Sequence, residues 1–443
     1  MAGKKVIIMG AAGRDYHDFN TCFRDNAEYE VVAFTQAPEQ NLSEIGEEVL
    51  RVYPPVLAGK LYPNGIPTYH ENKMPELVKK LAVDEVVFSY SDNSHEFVMH
   101  RASEAIAAGA DFRLIGTKRM QIASAKPVIG VNAVRTGCGK SQTTRRIAEI
   151  LKAHGRKVVV IREPMPYGDL AAQAVQRFAK YQDMIGQGCT VEEMEEYEAH
   201  IEAGTVVYAG VDYEKIIRQA EKECDVVLWD GGNNELSFYK TDLLFVVADP
   251  HRTGHETRYH PGEANLRAAD IVIINKVDTA KPSDVEQLKK NIKAANPRAQ
   301  IVEADSPAII AGGADIRGKK VLVIDDGPTL THGGMKYGAG TIAAQKAGAV
   351  IVDPRPYAKG TVAHTFAKYT HLDKVLPAMG YSKAQLQELQ DTINAAPVDF
   401  IVSGTPIDLG RLVKTNKPML RVTYDLKEKG DALAKAVAKV AGV

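Results

Sequence analysis

Residues Arg135-Thr-Gly-Cys-Gly-Lys-Ser141 carry the strongest chemical signal in the chain. They follow the apolar run Pro127–Val131 and precede a stretch whose Ile147, Ile150 and Leu151 fall on one helical face. In a strand, loop and helix of this kind, glycines let backbone amides converge on phosphate oxygens. A lysine then reaches the outer phosphates and a Ser or Thr hydroxyl ligates Mg²⁺. The helix N-terminus adds a favourable field for the anion. Thr136, Gly137, Cys138, Gly139, Lys140, Ser141 and Gln142 are the expected phosphate cradle. Small-residue packing explains Cys138, although a lowered thiol pKa is conceivable there.

Two further motifs stand at strand ends. Asp230 closes the run Val226–Trp229, where a carboxylate holds Mg²⁺ directly or through water together with Ser141. Asn275-Lys276-Val277-Asp278 follows Ile271–Ile274 at the place of the guanine-reading motif of GTPases. An Asp there accepts two hydrogen bonds from guanine and faces an acceptor on adenine, yet an Asn at this place also serves adenine in some enzymes. On hydrogen-bond grounds the motif favours guanine without deciding the nucleotide, so GTP is left open. Gly404, Thr405 and Pro406 follow another strand and offer either backbone contacts to the base edge or a plain tight turn.

Between those motifs, three histidines and two arginines crowd residues 251–260: His251, Arg252, His255, Arg258 and His260. The spacings are loose for a metal and no thiol joins them. An anion site is preferred, because Arg presents planar paired donors to phosphate. Arg162 to Leu170, just after another strand, should face the same crevice and brings in Tyr167 and Asp169. Asp326 to Gly340 is the longest glycine-rich loop, with His332 and Lys336 placed to help its amides cradle a second anion. Gly10-Ala-Ala-Gly13 is half of a dinucleotide fingerprint, but Thr35-Gln36 stands where the ribose-binding acid belongs, which argues against NAD.

These loops need a scaffold. Short β-branched runs alternate with amphipathic stretches from end to end, the pattern of parallel α/β sheets. With 443 residues, 45% of them apolar, the chain is long enough for about three domains. The expected fold class is α/β: a Rossmann-like N-terminal domain at 1–124, a P-loop NTPase domain at 125–315 and a C-terminal α/β segment at 316–443. Thr190 and Glu193 have capping-box spacing and open a helix whose glutamates read as a solvated face. The net charge of −1 gives no general basic surface for nucleic acid. No apolar run approaches the roughly 18 residues that span a bilayer. Four scattered cysteines suit a reduced, cytoplasmic protein.

The phosphate loop resembles the deviant P-loop class, with Arg135 at the place of its signature lysine and Thr136 at its first glycine. More broadly, Arg135–Ser141, Pro164–Leu170, Asp230–Asn234, Tyr259-His-Pro-Gly-Glu263 and Asp326–Met335 resemble the cyclic 2,3-diphosphoglycerate synthetases and their GTPase-like relatives along nearly the whole chain. That resemblance implies an ATP-dependent ligase. It would activate one phosphate of 2,3-bisphosphoglycerate, a phosphorylated small acid, and close an intramolecular anhydride. It implies nucleotide and Mg²⁺ handling by Lys140, Ser141 and Asp230, with Arg135 stabilising charge on the transferred phosphoryl group. Arg162, His251, Arg252, Arg258 and His260 would hold the acid substrate. A homodimer is expected, as deviant P-loop proteins often dimerise. The alternatives are a regulatory GTPase or metallochaperone with the histidines on metal, and a nucleotide-gated binding module.

Overall fold

The computed structural model describes residues 3–37, 49–163, 168–232, 234–331, 333–378 and 383–443. Its first sheet has six strands in the order Arg51–Tyr53, Ile66–His70, Tyr29–Gln36, Lys4–Met9, Glu85–Phe88, Asp111–Leu114, all parallel but the first. The central strand shows why the run Val6–Met9 is apolar throughout. Val6 and Ile8 pack with Tyr16 and Phe19 of helix Arg14–Cys22, whereas Ile7 and Met9 pack with Leu77, Val78 and Val98 of the helices behind. A parallel strand covered on both faces has no solvated side to leave polar.

The second sheet has nine strands in the order Gln176–Phe178, Val206–Ala209, Val158–Arg162, Val226–Asp230, Val128–Ala133, Leu243–Ala248, Ile271–Ile274, Gln300–Asp305 and Lys427–Glu428. Only the two edge pairings are antiparallel. Strand Val128–Ala133 lies where the chain turns from building one side of the sheet to building the other. Ligands bind such sheets at that reversal, outside the carboxyl ends of the strands. The phosphate loop leaves this strand and enters helix Lys140–Ala153, whose Ile147, Ile150 and Leu151 are buried in the central core.

A third sheet runs Ala308–Ile310, Met419–Tyr424, Phe400–Gly404, Lys320–Asp326, Val350–Ile351, with Leu376–Ala378 also on Lys320–Asp326. It starts at Ala308, ahead of the expected division at 315/316. The last strand and helix Ala432–Ala441 return to the central unit, where Leu433 and Val437 enter its core. The C-terminal segment thus both builds its own sheet and completes the second.

The three units share cores. Trp229 and Phe238 of the central unit lie in one cluster with Tyr16 and Phe34 of the first sheet, and His17 stacks on Phe238 at 3.9 Å. Phe178 and Tyr197 share another cluster with Leu322 and Ile401. A two-stranded ribbon, Asn93–Ser94 with Tyr259–His260, ties the first unit to the second. No helix among the described residues is long and apolar enough to cross a membrane.

Candidate functional site

The phosphate loop owes its path to Gly137 and Gly139, whose φ values of +80° and +107° are left-handed. At Gly139 a Cβ would also fall 2.1 Å from Asn275 Nδ2. Asn275 is fully buried beneath the loop and donates to the Cys138 carbonyl at 2.9 Å. Lys276 Nζ donates to the Gly137 carbonyl at 2.6 Å and to Asp249 at 2.8 Å. Asn275 and Lys276 therefore brace the loop from below. Asp278 is exposed, with one oxygen accepting the Ser306 amide at 2.9 Å. Ser306 in turn donates to Gln142 at 3.0 Å.

Lys140 lies across the loop with Nζ 2.6 Å from both Asp230 Oδ1 and the Gly231 carbonyl. Asp230 is wholly buried, and its other oxygen meets Arg162 Nη1 at 2.8 Å and His200 Nε2 at 2.9 Å. The surrounding cations, Arg162 first, hold the Asp230 carboxyl well below its usual range despite burial. It is therefore an acceptor, and His200 Nε2 donates to it. Burial, then the Arg162 charge, brings the Lys140 amine down to about 8. Arg162 Nη1 also stands 3.5 Å from Ser141 Oγ, and its Nη2 pairs with Glu196.

Arg135 is held from the N-terminal unit. Its Nε donates to Asp92 at 2.6 Å and its Nη1 to His255 Nδ1 at 2.7 Å, while the guanidinium lies 3.6 Å from the Tyr259 ring centre. The Asp92 carboxylate also accepts the Thr136 amide at 3.4 Å.

A pocket opens over these groups with walls from two units. The P-loop, Arg162, His251 and Lys276 form one side, and Asp326, Thr329, Tyr337, Gly404, Pro406 and Tyr424 form the other. Thr405 itself turns inward, donating to the Ile407 carbonyl at 3.0 Å. Helix Val191–Glu202, opened by the Thr190–Glu193 capping box, supplies Glu195, Glu196 and His200 to the pocket. The expectation of a solvated acidic face is thus corrected: Glu193 and Glu198 are also buried. Sequence reading missed His200 and did not join Asp92 to Arg135. The four-residue spacing of Glu196 and His200 was the available clue, since it sets both on one helix face.

The basic and histidine-rich segment does not converge. His251 is exposed and meets Thr279 at 3.0 Å. Arg252 is buried as a clamp, donating to the Gly333 carbonyl at 2.9 Å and reaching Cys138 Sγ and Asp249. Arg258 is exposed outside the pocket, and His260 faces Phe88 of the first sheet. Of these, only His251 lines the pocket, so the arginine cradle expected of Arg252 and Arg258 is not assembled. Asp169 is exposed and caps the amides of Ala171 and Ala172. Tyr167 and His332 lie outside the described residues, as do Pro164 to Pro166 and Asn233.

The anion cradle expected at the Asp326–Gly340 loop, and the Gly10–Gly13 turn already read against NAD, are both filled from within. Asp325 accepts the amides of Gly338 and Gly340 at 2.8 and 2.6 Å, plus the Thr341 hydroxyl at 2.9 Å. The loop beginning at Asp326 therefore has those amides already satisfied, and Lys336 is exposed. Asp15 likewise accepts the amides of Ala12, Gly13 and Tyr16, so this Gly10–Gly13 turn holds its own carboxylate where a dinucleotide would place phosphate. Burial pushes the Cys138 thiol up, against an activated thiol. Among the described residues no group of three His, Cys, Asp or Glu side chains is arranged to hold a metal.

Residues 217–303 match the CobW/HypB/UreG nucleotide-binding domain family. The chain is 58% identical over 435 residues to "Arginine synthetase ArcE" of Thermococcus kodakarensis, covering 98% of this chain and 96% of that protein. Among solved structures it is similar to LpxK of Aquifex aeolicus in complex with ATP (TM-score 0.43, 14% identity, 72% of this chain and 90% of that one). It is also similar to the hydrogenase maturation factor HypB of Archaeoglobus fulgidus (TM-score 0.26, 19% identity, 47% and 89%).

Proposed function

The chain belongs to the family of the arginine synthetase ArcE of Thermococcus kodakarensis, and from that premise we propose that it is an ATP-dependent ligase that forms arginine. The observation that carries this reading is identity over nearly the whole of both chains, joined to a phosphate loop in its working context. Arginine differs from a ureido amino acid by nitrogen in place of one oxygen. The direct nucleotide-driven route is attack of the ureido oxygen on the γ-phosphorus, breaking the bond to ADP. Ammonia then adds to the activated carbon, the C–O bond breaks, phosphate departs, and nitrogen gives up its excess proton.

The residues present suit this chemistry. Mg²⁺ bound with the nucleotide would neutralise phosphate charge, and Ser141 Oγ, with the Asp230 oxygen that Lys140 would release, would hold it directly or through water. Lys140 exchanges its contact with Asp230 for the outer phosphates, and Arg162 remains to hold the carboxylate. His200 and Arg162 together fix Asp230, so the phosphate end of the pocket is organised before substrate arrives. Arg135, tethered to Asp92, faces the same pocket.

The second reading keeps the same phosphoryl transfer but takes 2,3-bisphosphoglycerate as acceptor and closes its cyclic anhydride, as the motif resemblance implies. Arg135, Lys140 and Arg162 on the pocket wall favour it. Charge balance favours arginine formation instead: those cations already face Asp92, Asp230 and Glu196, and Lys276 faces Asp249. Of the other cations on the pocket wall, Arg145 is drawn to Asp425 and the Tyr424 carbonyl, which leaves few positive charges for a second polyanion beside a nucleoside triphosphate.

The test is to supply L-citrulline carrying ¹⁸O in its ureido group, with Mg²⁺, ATP and ammonium, and to read the isotope shift in the phosphorus spectrum. The label is expected in inorganic phosphate. Label in AMP, or phosphate free of label, overturns the phosphoryl route.

A further inference from the structure

Behind the phosphate end of the pocket lies a buried polar seam between the N-terminal and central units. Arg14 opens the first helix of the chain and is 2% exposed. One of its nitrogens donates to the Ile115 carbonyl at 3.1 Å, while Nε and Nη1 have no hydrogen-bond partner among the described residues. Nε stands 3.5 Å from Asp18, too long for a good hydrogen bond. Asp18 is fully buried, with Oδ2 accepting Ser89 at 2.8 Å and Oδ1 unpartnered. Across the seam, Glu163 and Glu235 are both more than nine-tenths buried, and each has an Oε2 unpartnered among the described residues.

The elements force these groups together. Glu163 follows Arg162 at the end of its strand, so the two side chains serve opposite sides: Arg162 the phosphate site, Glu163 the seam. Gly13 fits against Glu163 only because it lacks a side chain; a Cβ there would lie 2.4 Å from Oε1. Gly232 lines the pocket, and a Cβ on it would lie 3.1 Å from Glu163 Oε2. The seam and the pocket therefore meet at Gly232, where Glu163 is also close enough to act on Lys140.

Buried polar atoms in native proteins are paired, and each exception needs a reason. Here, among the described residues, two guanidinium donors and three carboxyl acceptors are unpaired within one buried seam. That is the complement of an ammonium beside a carboxylate. We propose that this seam, built by Arg14, Asp18, Glu163 and Glu235, binds the α-amino and α-carboxylate ends of a zwitterionic amino acid and directs its side chain past Gly232 toward Lys140. The proposal rests on the arginine-forming reading and names where its amino-acid substrate sits.

The electrostatics of the seam agree with a missing cation. Burial raises Glu235 to about 7 and Glu163 further above its ordinary value. Around Glu235 stand Arg14, Asp15, Asp18, Glu163 and the Ser91 hydroxyl, a set with one positive charge against several carboxyls. An arriving ammonium favours the carboxylate form, so binding near neutral pH releases protons.

Calorimetry on the full chain tests this, with L-arginine and its decarboxylated counterpart agmatine as probes against wild type, Glu235→Gln and Arg14→Lys. L-arginine should bind wild type at least ~10-fold more tightly than agmatine, and Glu235→Gln should weaken it ~10-fold or more, with fewer protons released. Arg14→Lys should weaken L-arginine and leave agmatine unchanged. ATP binding, measured in each variant, reports that the central unit is intact, and the near-isosteric Glu235→Gln decides the matter should Arg14→Lys fail to fold. Variants that bind L-arginine as wild type does, in a protein that still makes arginine, overturn the seam and spare the arginine reading. A wild type that binds no α-amino acid and instead cyclises 2,3-bisphosphoglycerate overturns both.

Discussion

Lys140, Asp230 and His200 are joined at one end of the pocket, with Lys140 and His200 each bonded to an oxygen of Asp230. On the proposed function the lysine would carry the charge that phosphate needs, the aspartate would hold it in reserve, and the histidine would keep the aspartate in place. Lys140→Ala is expected to lower kcat/KM by about 100- to 1000-fold in a turnover assay, the scale of losing one charge-stabilising donor. His200→Ala leaves one Asp230 oxygen with Arg162 alone and should cost about 10- to 100-fold, as loss of an orienting partner does. An unchanged kcat in His200→Ala would remove it from the site. The amine of Lys140, brought down to about 8, adds a pH signature. Below that value it is protonated and binds phosphate; above it the charge is lost, so ATP affinity of the free protein should fall as pH rises through about 8. A flat affinity profile there would contradict the assignment. Lys140, Ser141 and Asp230 were legible in sequence because their motifs are local. His200 was not, nor was the pairing of Asp92 with Arg135, because each reaches the site from a distant segment and only the three-dimensional path joins them.

At the scale of elements, two local devices hold the site. The Thr190–Glu193 capping box sets the start of the helix that carries Glu195, Glu196 and His200. Thr190→Ala should cost about 1 kcal/mol in chemical denaturation and lower turnover as well, because the helix positions His200. Gly262 opens the helix Gly262–Ala268 so close to the phosphate loop that a Cβ would fall 2.1 Å from the Val134 carbonyl oxygen. Gly262→Ala should destabilise by about 1–3 kcal/mol, since backbone on both sides has no rotamer with which to yield. The strands legible in sequence were the buried, β-branched ones, such as Val128–Ala133, Leu243–Ala248 and Ile271–Ile274. Those passed over include Arg51–Tyr53, Gln176–Phe178 and Lys427–Glu428 at sheet edges, and Gln300–Asp305, where polar residues interrupt the apolar run. Edge strands are short and half-solvated, so their composition carries little of the buried-strand signal.

At the scale of the whole molecule, the pocket lies at a junction between units, which is why the single motifs told less than their arrangement. The sequence suggested an anion cradle at residues 251–260; the fold instead spends Arg252 on joining Cys138 to Gly333 and turns His260 to the N-terminal sheet. Two histidines give the junction with the N-terminal unit a pH signature. His17, stacked on Phe238, and His260 are both held near about 3 by burial, below the ordinary 6.5. The unfolded chain therefore takes up protons that the folded one refuses as pH falls below about 6.5. The contribution of these two residues to stability is present above that pH and lost below it, whereas the raised carboxyls of Glu163 and Glu235 at the same junction take up protons in the folded chain and act in the opposite sense. The test is therefore a difference: His17→Gln should gain melting temperature relative to wild type as pH falls from about 6.5 to 4, and a difference that does not change with pH would remove His17 from acid stability.

The central claim is that the chain uses ATP to make arginine. Its most direct measurement is amino-acid analysis with phosphorus NMR of the purified protein supplied with Mg²⁺, ammonium, L-citrulline and either ATP or GTP, beside a parallel reaction on 2,3-bisphosphoglycerate. The expected result is arginine and inorganic phosphate in equal amounts, faster with ATP, and no reaction of the bisphosphoglycerate. A cyclic pyrophosphate signal from 2,3-bisphosphoglycerate, with L-citrulline untouched, would contradict it.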